Sequence, residues 1–128
     1  MITVTMDQIV NFYNAGSFLD NTNLPLKGAY KINKLRKSIN TEFEYYHNKF
    51  QEILDKYAQK DENGEFVFSE DEQRIMIQND MIDECNNALV ELQSLEIEVD
   101  NSNLRIEDLG DIRCTPNELE ILMPFIEN

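Results

Sequence analysis

An Asn-Gly dipeptide with acidic side chains around it is the first pattern in this chain that could do chemistry. Four residues match the third, fifth, sixth and twelfth places of a calcium-binding EF-hand loop: Asp61, Asn63, Gly64 and Glu70. The first place is Gln59, whose neutral amide lacks the carboxylate that normally anchors the ion. We therefore expect a polar turn between two helices here, and no metal site.

Carboxylates are concentrated in the second half of the chain, where they could bind a basic surface. Residues 61–128 carry 19 acidic and three basic side chains, whereas residues 1–60 carry six and eight. Successive helical turns can present carboxylates at a spacing that imitates nucleic-acid phosphates. The candidate acidic face consists of Glu70, Asp71, Glu72, Asp80, Asp83, Glu84 and Glu91. The alternative is a solvated surface that only keeps the protein soluble.

The charge balance also limits the class of partner. A net charge of -14 disfavours direct binding of nucleic acid, because phosphates would meet a repulsive second half. The same field favours a protein partner with a basic surface, and we predict that class of partner.

A cluster of basic residues precedes this acidic half. Its five members fall within eleven positions: Lys27, Lys31, Lys34, Arg36 and Lys37. Steps of four and three residues place the first three lysines on one helical face, which could bind phosphate or an acidic surface. The alternative is that the cluster neutralises part of the acidic half within the same molecule. Both interpretations stay open at this point, so the cluster is a possible second site.

Catalytic groupings are not recognisable by spacing. His47 is the only histidine, and it has no serine, cysteine or aspartate at a distance typical of a catalytic group. Cys85, Cys114 and one histidine cannot complete a zinc site without carboxylates. Cys85 falls on an apolar helical face, so we expect a buried free thiol there. We predict a protein that is not an enzyme, with no catalytic residue, no metal and no cofactor.

Apolar periodicity predicts the helices that position these residues. Residues 3–15 should form a short helix opened by Thr3 or Thr5. Residues 25–58 should form a long helix whose apolar positions repeat at steps of three and four. This seam comprises Ile32, Leu35, Ile39, Phe43, Tyr46, Phe50, Ile53 and Tyr57.

A helix of that length needs a second helix along it. The candidate is residues 70–93, opened by Ser69 and Glu72 at the spacing of a capping box. We expect the two helices to form an antiparallel hairpin joined by residues 59–68, in which residues 65–68 could form a very short strand.

The remaining chain shows a different periodicity. Residues 95–99 and 104–107 alternate apolar with polar side chains, which predicts a small β-hairpin. Thr115, Pro116 and Glu118 then predict the start of a terminal helix that Pro124 should kink or end.

These elements together predict a fold class. We expect a mainly α fold with minor α+β character: a long antiparallel helical hairpin, short N- and C-terminal helices and a small β-hairpin. The chain should be a single domain, 1–128, in three parts: 1–23, 24–93 and 94–128. No run resembles a signal peptide or a membrane span, so we expect a cytoplasmic protein with no membrane partner.

Short motifs recur along most of the chain. They lie at 24–33 (LPLKGAYKIN), 56–64 (KYAQKDENG), 96–99 (EIEV), 106–109 (IEDL) and 115–119 (TPNEL). Taken in order, they resemble a family of small uncharacterised acidic helical proteins that phages and prophages of Gram-positive bacteria encode. The resemblance implies an accessory protein made inside a bacterial host cell, and it brings no catalytic or binding residues with it.

Two functional hypotheses follow. The first is a non-enzymatic phage accessory protein that binds a host or viral protein through its acidic surface and inhibits a nucleic-acid-handling or anti-phage defence complex. The second is a structural, assembly or chaperone protein of a phage that acts through its helical seam, with the long helix also able to form a homo-oligomer.

Overall fold

A computed structural model describes residues 1–127 of the chain and divides it into two compact units. The terminal unit is formed by residues 1–45 and the segment from Ser94 onward, and the central unit by residues 46–93. The elements confirm the predicted mainly α class with minor β structure.

The terminal unit begins with a strand, β1 (Ile2–Thr5), that leads directly into a helix, α1 (Met6–Ala15). Thr5 caps α1 through a capping box: its hydroxyl accepts the Gln8 N–H at 3.3 Å, and the Gln8 side chain accepts the Thr5 N–H at 3.0 Å. The predicted helix over 3–15 is therefore confirmed from Met6 onward. Of the two predicted opening residues, Thr5 is confirmed as the N-cap and Thr3 is wrong, because the β-branched residues before Met6 pair as a strand.

The long helix, α2 (Leu26–Tyr57), confirms the prediction over 25–58 and contributes residues to both units. Its predicted seam is buried at the two ends, at Ile32, Leu35 and Ile39 and again at Tyr57. The middle of the seam, from Phe43 to Ile53, is only half-buried.

The first turn of α2 lies directly against a 3-10 turn at Ile106–Leu109. Gly28 is buried, and a Cβ atom there would overlap the carbonyl oxygen of Asp108 and lie 3.0 Å from its carbonyl carbon. Lys31, about one turn further along α2, donates to the Asp108 carboxylate at 2.7 Å. Two of the sequence motifs, 24–33 and 106–109, therefore meet in the folded chain.

The central unit contains a motif that the sequence did not predict, which we call the β triangle: residues 58–60, 66–68 and 75–77. Single antiparallel bridges join each segment to the other two, at Ala58–Ile77, Lys60–Phe66 and Phe68–Ile75. The middle residues close a ring of backbone hydrogen bonds. The Gln59 N–H donates to the Met76 carbonyl (2.8 Å), the Met76 N–H to the Val67 carbonyl (2.8 Å), and the Val67 N–H to the Gln59 carbonyl (3.0 Å).

The second helix of the central unit, α3 (Ile82–Gln93), is shorter than the predicted helix over 70–93. Ser69 and Glu72 form a turn and do not cap a helix: the Glu72 N–H donates to the Ser69 carbonyl at 2.8 Å. Residues 75–77 pair within the β triangle, so their backbone groups are not available to a helix. The predicted helical hairpin is therefore wrong in the extent of its second arm, while the expected short strand at 65–68 contributes the second segment of the triangle.

The small sheet of the terminal unit pairs β1 with β2 (Glu96–Val99), antiparallel, with Ile2 opposite Val99 and Thr5 opposite Glu96. The predicted hairpin between 95–99 and 104–107 is therefore wrong about the partner strand. The chain leaves β2 through a turn in which Ser102 and Asn103 take left-handed backbone angles, with φ of 54° and 57°. That turn leads into the 3-10 turn and not into a return strand.

The terminal unit closes with a helix, α4 (Pro116–Leu122), whose predicted cap is confirmed. The Thr115 hydroxyl accepts the Glu118 N–H at 3.2 Å, and the Glu118 side chain accepts the Thr115 N–H at 2.8 Å. The α-helix ends at Leu122, in agreement with an end at Pro124, and a 3-10 turn that contains Pro124 follows. The turn buries Phe125, whose ring meets that of Phe12 edge-on at 5.1 Å.

Both cysteines are free thiols. Cys85 is buried at 2% exposure, and burial raises the pKa of its thiol. Cys114 is exposed. The predicted buried free thiol is therefore confirmed at Cys85. Within residues 1–127, no helix is both long enough and apolar enough to cross a bilayer.

Candidate protein-binding site

All seven members of the predicted acidic face belong to the central unit, and all are exposed. They lie on three consecutive pieces of that unit. Glu70, Asp71 and Glu72 lie in the turn between the second and third segments of the β triangle, and Asp80 lies in the 3-10 turn before α3. Asp83, Glu84 and Glu91 lie on α3.

The charge of this acidic face is not neutralised within the described chain. The central unit has twelve acidic and four basic side chains. Its ion pairs among residues 1–127 join Lys49 to Glu52 and Lys60 to Asp55, and none involves the acidic face. All seven carboxylates therefore lack an ion-pair partner in the described chain.

The turn that carries three of these carboxylates is held by its own hydrogen bonds. The Ser69 N–H donates to the Arg74 carbonyl at 2.8 Å, and the Arg74 N–H donates to the Ser69 hydroxyl at 3.3 Å. The Ser69 hydroxyl and the Gln73 N–H both donate to the Asp71 carboxylate, and they hold the pKa of Asp71 below its usual range. Asp71 therefore stays ionised and also fixes the shape of the turn.

An aromatic side chain that the sequence did not indicate as part of a site lies beside these carboxylates. Phe68, the last residue of the second triangle segment, is 52% exposed. It lines a shallow cleft together with Ser69, Glu70 and Glu72. No signal in the sequence identifies it, because Phe66, Val67 and Phe68 form an unbroken apolar run, and the alternation of a strand does not show which face meets solvent.

The basic cluster, in contrast, belongs to the terminal unit and is partly used there. Lys31 is 14% exposed and donates to Asp108 at 2.7 Å and to the Asn103 carbonyl at 3.1 Å. Lys27 lies 4.0 Å from the same Asp108 carboxylate. These contacts support the interpretation that the cluster neutralises acidic residues of its own molecule, although the residue neutralised here lies outside the acidic face.

The other members of the cluster differ in their partners. Arg36 pairs with Asp20 at 2.6 Å and donates to the Gly16 carbonyl at 3.3 Å. Lys34 lies 5.2 Å from the centre of the Tyr30 ring, and Lys37 is exposed. Within the described chain, therefore, three of the five cations are paired with a carboxylate, and Lys34 and Lys37 are not.

Removal of the Asp108 charge provides a test of this internal pairing. The hydrogen bond from Lys31, the Arg105 N–H and the nearby lysines hold the pKa of Asp108 below its usual range. A lowered folded-state pKa means that the ionised form stabilises the native state above the ordinary carboxyl pKa of about 3.9. That contribution is lost as the pH falls through the folded-state pKa.

We therefore expect Asp108→Asn to melt below the wild type at neutral pH, and the difference in Tm to shrink as the pH falls below about 4. The matched control is Asp111→Asn, at an exposed position outside any ion pair of residues 1–127. A Tm difference for Asp108→Asn that stays constant from neutral to acidic pH would contradict the pairing.

The predicted polar turn at Asn63 and Gly64 is confirmed, but it joins two segments of the β triangle, so the prediction that it lies between two helices is wrong. The Asp61 carboxylate accepts the Asn63 N–H at 2.8 Å and the Glu65 N–H at 3.0 Å, and Gly64 takes a left-handed φ of 77°. The carboxylate therefore holds the turn. Among residues 1–127, no three histidine, cysteine or acidic side chains converge in an arrangement that could hold a metal ion. His47 is exposed on α2.

The geometry defines a class of site: an exposed acidic surface on a small helical unit, with an open aromatic ring beside it. Comparison with protein-family models, curated proteins and solved structures gives no match to this chain. The resemblance to phage-encoded proteins stays a prediction.

Proposed function

We propose that this protein is a non-enzymatic binding protein that attaches to a basic surface of a partner protein through its acidic face. The observation that carries the proposal is the set of seven exposed carboxylates in the central unit, which no cation of residues 1–127 pairs. Unpaired surface charge of one sign speeds association with a complementary surface and makes it sensitive to salt.

The setting of this activity follows from the resemblance to phage proteins. In a bacterial host, proteins that handle nucleic acid, including anti-phage defence complexes, carry basic surfaces for phosphate groups. Carboxylates on an exposed turn and helix would compete for such a surface. We therefore propose inhibition of a nucleic-acid-handling or defence complex in the host cytoplasm as the outcome of binding.

Neutralisation of the acidic face tests the proposal. The variant carries Asp80→Asn, Asp83→Asn, Glu84→Gln and Glu91→Gln, which leave the turn at residues 69–74 intact. We expect affinity for the basic partner to fall about tenfold or more, since exposed charge pairs contribute about 0.2–1 kcal/mol each. The partner is first captured from lysate of a Gram-positive host at low salt, identified by mass spectrometry and then purified for titration at several salt concentrations.

The matched control removes four exposed carboxylates from the terminal unit: Glu44→Gln, Glu98→Gln, Asp111→Asn and Glu120→Gln. Both variants change the net charge equally, so overall charge cannot explain a difference between them. An equal loss of binding in both variants would contradict a localised acidic face.

A second candidate is the assembly function, which the middle of the seam favours. Phe50 and Ile53 of the central unit are half-buried, although they continue the apolar stripe of α2. A structural partner or a second copy would cover such side chains through contacts that are insensitive to salt. Self-association, or retention of a virion protein at high salt, would favour this function over the first.

A further inference from the structure

Phe68 is an exposed aromatic residue on a rigid backbone. Its bridge to Ile75 fixes it within the β triangle, and the hydrogen bonds of the following turn fix residues 69–74. Half of its surface is in contact with solvent, which is unfavourable for an apolar ring in a unit of only 48 residues. The cleft beside it is therefore present before any partner arrives.

Two other rings of the central unit each have a lysine cation close to them. The Lys56 ammonium lies 5.2 Å from the centre of the Tyr57 ring, and the Lys60 ammonium lies 5.9 Å from that of Phe66. Within residues 1–127, no lysine or arginine occupies the corresponding position at Phe68. Glu70 and Glu72, which line the same cleft, likewise lack an ion-pair partner in the described chain.

The cleft combines an exposed aromatic ring with two carboxylates. The cation that fits it best has a flat face for the ring and several N–H donors for the carboxylates. The guanidinium group of arginine is planar, stacks on aromatic rings and donates to two carboxylates at once. The ammonium group of lysine is a strongly hydrated point charge, and it gains less from the ring.

We propose that the cleft receives one arginine side chain of the basic partner, with the guanidinium on the ring of Phe68 and its N–H groups directed to Glu70 and Glu72. This proposal rests on the proposed function and adds to it the residue that the partner must present. The other carboxylates of the acidic face then attract the basic partner electrostatically, without distinguishing arginine from lysine.

The test uses the full chain and two fluorescent peptides of the same length, one with arginine and one with lysine at every basic position. We expect the wild type to bind the arginine peptide about fivefold more tightly, as for an exposed cation–π contact. Phe68→Leu should remove this preference and leave affinity for the lysine peptide within about twofold. Phe68→Tyr, which keeps the ring, should retain the preference.

Val90→Ala is the matched control, since Val90 is an apolar residue of the same unit, 58% exposed on α3 and outside the cleft. It should leave both affinities unchanged. Amide shifts in a nitrogen-15 spectrum should concentrate at residues 68–72 when the arginine peptide is added. Melting curves of the variants should match that of the wild type, so that unfolding cannot be the cause of a lost preference for the arginine peptide.

The outcomes separate this proposal from the function on which it rests. Equal, salt-sensitive binding of the two peptides by the wild type, or an arginine preference that Phe68→Leu retains, would overturn the arginine cleft alone. Failure of both peptides to bind at low salt would overturn the cleft and the acidic-face function together.

Discussion

Alanine in place of Gly28 is expected to lower the free energy of unfolding by about 3 kcal/mol or more. Helix propensity alone predicts the opposite sign, because alanine favours a helix over glycine by about 1 kcal/mol. The added methyl group would overlap the carbonyl oxygen of Asp108 and approach its carbonyl carbon to 3.0 Å. Both atoms belong to the backbone, so no side-chain rotation relieves the overlap, and α2 must separate from the turn at Ile106–Leu109.

Urea denaturation followed by circular dichroism measures this effect, and Gly16→Ala is its control. A Cβ atom on Gly16 would lie 3.4 Å from the ring of Phe12, which is a van der Waals distance, and its φ of -81° suits alanine. The Gly16 variant should stay within about 1 kcal/mol of the wild type. Equal stability of the Gly28 variant and the wild type would show that α2 does not pack against Asp108.

Leucine in place of Asn101 is expected to cost about 2–4 kcal/mol of stability. Asn101 is fully buried, and its side-chain amide donates to the Phe125 carbonyl at 2.9 Å. Its side-chain oxygen accepts the Asn103 N–H at 3.2 Å. Leucine has the same branching, but its two methyl groups are larger than the amide oxygen and nitrogen. The cost therefore combines the loss of a partner by two backbone groups in a low-dielectric interior with overpacking of a filled site.

Asn86→Leu provides the reference for this second substitution, because Asn86 is exposed on α3. Its effect should stay within about 0.5 kcal/mol. Thermal unfolding of both variants gives the comparison, with a lowered Tm expected for Asn101→Leu alone. A Tm for Asn101→Leu at or above that of the wild type would mean that Phe125 and Asn103 find other partners.

Elements that depend on nearby residues could be predicted from the sequence. The extent of α2 follows from its apolar period. The start of α4 follows from a proline at its first position, Pro116, and from Thr115 and Glu118, whose side chains accept hydrogen bonds from each other's backbone N–H groups. The polar turn at Asn63 and Gly64 follows from the same kind of local chemistry.

Elements that depend on distant partners could not be predicted in this way. The alternation at 95–99 indicates a strand, but it does not indicate that β1, near the start of the chain, is the other strand. Ser69 and Glu72 have capping-box spacing, yet the pairing of residues 75–77 with two other segments prevents a helix there. In both cases tertiary contacts override a local signal.

The candidate site shows the same division. Composition identifies the seven carboxylates, because acidic residues are dense in the second half of the chain. Composition does not show that residues 94–127 belong to the terminal unit and not to the unit that contains the acidic face. It also does not identify Phe68, since an aromatic residue in an apolar run normally indicates a core position.

The order of the two units along the chain has a consequence for synthesis. β1 cannot pair until β2 has been synthesised, because Ile2 lies opposite Val99. The bridges of the β triangle, in contrast, join residues that are close together in the sequence. At roughly 5–20 residues per second, β1 leaves the ribosome roughly 5–20 s before β2. During that interval Ile2 and Val4 belong to an unpaired strand edge that other nascent chains can join. Rapid production of this protein should therefore carry a risk of aggregation that the pairing of β1 with β2 lowers.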